Sequence, residues 1–118
     1  MTENDAEQSK AAQLALRKAD IVALTTPTLC ELVWVLQGYK IRPSDIAETI
    51  RGLLNSANVV VNRSTAEAGL AMLDAGGDFA DGVIAYEGNW LGADTFVSFD
   101  KQAVRLMEAQ GKSARLLS

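Results

Sequence analysis

A chain of 118 residues with 48% hydrophobic side chains is long enough for one domain with a real core and too short for two. Its net charge of -4 excludes a protein that grips nucleic acid by broad electrostatics, because counterion release needs clustered Lys and Arg. Histidine is absent from the sequence, which excludes Ser-His-Asp and Cys-His catalysis and His-ligated zinc or iron, and leaves carboxylates as the main candidates for chemistry.

The opening "NDAEQSKAAQLALRKA" offers Asn4 as a cap and Glu7 three residues later, then Ala11, Leu14, Ala15 and Lys18 at helical spacing, which predicts a helix from about Asp5 to Ala19. This stretch is polar, unlike a signal peptide, and no apolar run approaches the roughly 20 residues that span a bilayer, so a cytoplasmic protein is expected. "DIVAL" predicts a strand that feeds a helix capped by Thr26 with Pro27 at its first position. That helix, to about Gln37, is apolar nearly all round, which predicts burial on most sides and places Trp34 in the core. The single cysteine, Cys30, lies in the same run and reads as a reduced, core-packed thiol.

A helix opening at Pro43 carries Ile46, Ile50, Leu53 and Leu54 as a one-sided stripe. "NVVVN" predicts a strand, and "STAE" a capping box of Ser64 and Glu67 starting a helix that stops at Gly76 and Gly77. A helix from Asp78 or Phe79 to about Trp90, a strand in "DTFVSF", a helix in "KQAVRLMEAQG" and a final strand in "ARLL" complete the chain. Strands that alternate with helices imply a parallel sheet covered on both faces, a single α/β domain over residues 1–118.

In such a sheet the rim at the C-terminal ends of the strands is where ligands bind. Glu31 lies in the first turns of the helix after the Ile21 to Leu24 strand; Asp78 and Asp81 open a helix antiparallel to the Thr95 to Phe99 strand; Asp100 follows that strand. Each has an ordinary alternative. Asp78 and Asp100 can be helix caps, Asp81 a first-turn acid, and Glu31 the partner of Thr28 in a capping box. Glu31 is nonetheless the only charged residue from Leu29 to Leu36, and a buried carboxylate without a partner is costly. A histidine-free set of oxygen ligands suits Mg²⁺ or Mn²⁺, which activate water in phosphodiester cleavage.

The ordered triplet "CELVWVL", "GGDFADGVIA" and "FVSFD" resembles the PIN-domain family, specifically VapC-type toxins of bacterial toxin-antitoxin pairs, across essentially the whole chain. The resemblance implies a three-layer α/β/α fold and an Mg²⁺-dependent endoribonuclease that forms a homodimer and is neutralised by a small antitoxin protein. By position it makes Glu31, Asp81 and Asp100 the catalytic and metal-binding residues, with Asp78 a further metal ligand or cap and Ser98 near metal-bound water or phosphate. The family's chains begin with a central strand carrying an aspartate in an Asp-Thr-Asn context, whereas this one begins with "TENDAEQSK", similar to the segment that normally comes after that strand. The resemblance therefore implies a sheet lacking its first central strand and a site lacking one carboxylate. Two readings stand side by side: a metal-dependent ribonuclease, and a non-catalytic PIN-like module that keeps an antitoxin-binding or dimerisation surface. A generic doubly wound regulator is a third, without a Gly-rich phosphate loop to support it.

Overall fold

The computed structural model describes residues 7, 8, 10–12, 14, 15 and 21–117. Residues 7, 8, 10–12, 14 and 15 are helical (α1); the expected cap at Asn4 and the expected helix end at Ala19 lie outside the described residues. There follow β1 (Val22–Leu24), α2 (Thr26–Gly38), α3 (Pro43–Leu54), β2 (Val59–Val61), α4 (Arg63–Asp74), α5 (Phe79–Trp90), β3 (Phe96–Ser98), α6 (Lys101–Ala109) and β4 (Ala114–Leu116). The chain is mixed α/β with short parallel strands. Among the described residues no helix is long and apolar enough to cross a membrane.

Local chemistry sets the helix starts. Pro27 and Pro43 sit in the first turns of α2 and α3, where a missing N–H costs nothing. The cap of α2 is Thr25, one residue earlier than expected, with its hydroxyl 2.9 Å from that of Thr28. The cap of α4 is Asn62, whose Oδ1 accepts the Thr65 N–H at 3.3 Å. The Ser64–Glu67 box does not form, because Ser64 already lies inside the helix and Glu67 pairs with Arg63. The amide of Asn62 wins through its position one residue before the first helical turn. At the far end of α4 the chain turns through Gly76 at φ 93°, a conformation that glycine adopts without strain.

α4 and α5 pack backbone against backbone. A Cβ at Gly82 would collide with the Ala68 carbonyl oxygen and lie 2.8 Å from Met72 Cβ; one at Gly69 would meet the Phe79 ring at 2.6 Å. Phe79, wholly buried, sits at the centre of a core that also takes Leu29 and Val33 from α2, Ile46 and Ile50 from α3, and Leu70 from α4. Leu24 and Val61 rest on it from the first strand pair.

The strands depart from the expected single sheet. β1 pairs in parallel with β2, Val22 opposite Val59 and Leu24 opposite Val61; β3 pairs in parallel with β4, Phe96 opposite Ala114 and Ser98 opposite Leu116. Among the described residues these are separate two-stranded sheets. Each strand is half-buried at its outer residues and exposed at its middle one (Ala23, Val60, Val97 and Arg115), so helices cover one face only. The second pair packs on α6, whose Ala103, Val104 and Met107 are buried.

α2 also differs from expectation. Only Leu29 and Val33 are buried, an i, i+4 stripe, while Trp34 is 73% exposed. Apolar composition all round the helix says nothing of which side a neighbour covers, and here α3, α4 and α5 cover one. Trp34, Val35 and Tyr39 instead line a surface groove.

Candidate acidic site

The acidic rim is built by two helix starts. Asp78 is the cap of α5: its Oδ1 accepts the Ala80 N–H at 3.3 Å, and its carbonyl accepts the Asp81 N–H at 3.1 Å. Asp100 is the cap of α6, with Oδ1 accepting the N–H of Gln102 at 2.9 Å and of Ala103 at 3.4 Å. Ser98, at the end of β3, accepts the Asp100 N–H on its Oγ at 3.0 Å and so orients that cap. Gln102 reaches back to donate to the Gly76 carbonyl at 3.2 Å, which ties the start of α6 to the turn preceding α5. Asp78 and Asp100 thus take the capping roles that their sequence positions allowed.

Asp81 differs from both. It lies in the first turn of α5, half-buried, and burial pushes its carboxyl above the ordinary aspartate range; the charges of Asp78 and then Asp100 push it further the same way. Two acids, Asp78 from the same helix start and Asp100 from the start of α6, therefore act electrostatically on Asp81, and among the described residues none of the three is in an ion pair. Cys30 of α2 belongs to the same neighbourhood. Its thiol is pushed up by burial and then by Asp78 and Glu87, so it is a protonated, partly buried thiol packed against the core.

Glu31 stands apart. It is exposed on α2, where the sequence suggested a face with little surface to spare; the premise that burial makes its charge costly does not hold, because water solvates it. Asp78 and Asp100 are the acids that raise Asp81, and Glu31 is not among them. Mg²⁺ and Mn²⁺ demand several convergent oxygens at short range. Among the described residues no group of three or more His, Cys, Asp or Glu is arranged to hold a metal ion, and one oxygen each of Asp78 and Asp100 is engaged by helix N–H groups.

Sequence reading did not anticipate the role of Ser98 as a prop for Asp100 or the Gln102 to Gly76 bond. A serine two residues before a capping aspartate is a signal for the first; the second joins residues distant in sequence and leaves none. Lys101 and Arg105 of α6 are exposed. Comparisons with protein-family models, with curated proteins and with solved structures found no match.

Proposed function

We propose that the chain is a PIN-like domain of the VapC type, the Mg²⁺-dependent endoribonuclease toxin of a toxin-antitoxin pair, with Asp81 as its central carboxylate and Asp78, Asp100 and Glu31 as the accompanying acids. A three-layer α/β/α arrangement, RNA as substrate, a small antitoxin and a homodimer belong to the same reading. The observation that carries it is the raised Asp81 carboxyl, half-buried at the meeting of two helix starts beyond the end of β3 and crowded by two further acids. Carboxylates gathered against their own repulsion, with a perturbed group at the centre, mark sites of chemistry more often than they stabilise a fold.

A second reading, a non-catalytic module that binds an antitoxin or a second copy of the chain, is favoured by the lack of a three-ligand group among the described residues. Exposed Trp34, Val35 and Tyr39 give it an apolar surface.

RNA cleavage by the purified chain, with Mg²⁺ or Mn²⁺ and with excess EDTA, separates the two. The ribonuclease reading expects EDTA-sensitive cleavage that falls by about 10²–10⁴-fold in Asp81→Asn, the scale of losing a group that acts in the chemical step. Cleavage unaltered in Asp81→Asn removes that residue from the mechanism; a folded chain that cleaves nothing leaves the binding module.

A further inference from the structure

α5 and α6 close in the same way. α5 is followed by Gly92 at φ 94°, and the next residue, Ala93, donates its N–H to the Gly88 carbonyl at 2.9 Å; α6 is followed by Gly111 at φ 79°, and the Lys112 N–H donates to the Met107 carbonyl at 3.0 Å. A left-handed glycine with such a bond fixes the direction in which the chain leaves a helix. Here it sets Asp94 just before β3 and Lys112 just before β4. The two strand starts are tied to each other as well. The Phe96 N–H donates to the Ser113 carbonyl at 3.0 Å, and the Thr95 and Ser113 hydroxyls lie 3.4 Å apart.

These two loops and the second half of α5 line a cavity of about 530 Å³, inside the range of roughly 300–1,000 Å³ typical of small-molecule sites. It lies at the starts of β3 and β4, whereas Asp100 follows the end of β3, so it is separate from the acidic site. Ile84, Phe96 and Val97 give it an apolar side, and Ile84 is 59% exposed and Val97 52%, open to an occupant. Its polar side holds one residue of each charge, Asp94 and half-buried Lys112. They do not pair: among the described residues neither is in an ion pair. Asp94 accepts the Thr95 hydroxyl on Oδ1 at 3.0 Å, which leaves its second carboxylate oxygen for a cation.

We propose that this cavity binds a free α-amino acid with an apolar side chain, Lys112 receiving its carboxylate and Asp94 its ammonium group. The charges decide the class of ligand. A simple anion would meet the Asp94 carboxylate and a simple cation the Lys112 ammonium, whereas a zwitterion satisfies both. The apolar side takes the ligand's side chain, and Asn89, Thr95 and Ser113 offer hydrogen bonds to its charged end. Because the helix closures and the bonds between the strand starts already hold both loops, little ordering remains to be done on binding. The inference goes beyond the ribonuclease reading and does not depend on it.

The test is a titration of the full, isotope-labelled chain with L-phenylalanine, read from its amide chemical shifts. Saturable shifts are expected in residues 84–89, 93–97 and 111–113. L-phenylalaninamide, which lacks the carboxylate, N-acetyl-L-phenylalanine, which lacks the ammonium group, and glycine, which lacks the side chain, should each bind about tenfold or more weakly. Two variants then assign the charges. Lys112→Met should bind L-phenylalanine and its amide alike, and Asp94→Asn should bind L-phenylalanine and its N-acetyl form alike. Both substitutions leave the backbone bonds of the helix closures in place, with circular dichroism as the check on folding. Should a variant misfold, the three analogues on the unaltered chain decide the matter. No saturable shift by about 10 mM ligand overturns the proposal, as do shifts centred outside the cavity, an affinity indifferent to the analogues, or folded variants that keep the full preference for L-phenylalanine.

Discussion

The helical part of the molecule and its strands bury their surfaces in opposite ways. α4 and α5 meet so closely that Gly69 and Gly82 leave no room for a methyl group, with Phe79 filling the remaining space. The strands pair in twos, show one face to helices and leave Ala23, Val60 and Val97 exposed on the other. Cohesion therefore resides in helix-to-helix contact, where close packing maximises dispersion and apolar burial. Among the described residues the strands contribute little to the centre and pair only in twos, and the acids gather where the two parts join, at the starts of α5 and α6.

The sharpest way to break this contrast is Phe79→Ala. Removing a wholly buried ring from the meeting point of α2, α3, α4 and α5 is expected to cost about 3–5 kcal/mol, read as a fall in the midpoint of urea unfolding. A loss below about 1 kcal/mol, the level typical of an average substitution, would mean that the helical core is not the stability centre. Gly82→Ala tests the same contact by overpacking. The new methyl meets a carbonyl that belongs to α4 and has no rotamer in which to retreat, so a loss of about 1–3 kcal/mol is expected.

At the join, Asp100→Ala removes the cap that serves Gln102 and Ala103, and should cost about 0.5–2 kcal/mol without reaching the Phe79 core. Hydrogen exchange should then quicken in residues 101–109 while α4 stays protected.

The smallest effect concerns Asp81 and is a matter of pH. Its folded carboxyl titrates above the ordinary value of 3.8, so between the two values the folded chain holds more protons than the unfolded one. The group's contribution is fully present below 3.8 and is lost as the pH rises through the folded value. Asp81→Asn cannot titrate, so its stability relative to the unaltered chain should improve from pH 3 to pH 7, measured by urea midpoints across about that range. A gap that narrows with rising pH would show that Asp81 has a cationic partner, and would recast the acidic rim as an ion pair.

Much of the fold was legible because its signals are local. Pro43, the Ile46 and Ile50 stripe, the three valines of β2 and the capping aspartates before α5 and α6 act through neighbours within a turn or two. The misreadings concern coverage. In α2, the apolar company of Trp34 and Glu31 points to the interior, yet both are exposed, because only one stripe of that helix meets a partner. Ser64 and Glu67 match a capping box by spacing, but Asn62 starts the helix earlier and Glu67 turns to Arg63. Of the four acids singled out, Asp78, Asp81 and Asp100 gather and Glu31 does not take part in raising Asp81.

By itself, the amino-acid order determined which segments are helices and which are strands, and placed an acid at each of two helix starts, because periodicity and capping act between residues a few positions apart. Only the tertiary structure decided that the strands of the described residues form two separate pairs, that Asp81 is crowded while Glu31 faces water, and that Trp34 lines a surface groove. Those outcomes turn on which surfaces meet, and burial and charge interaction depend on distances in space that spacing along the chain does not encode.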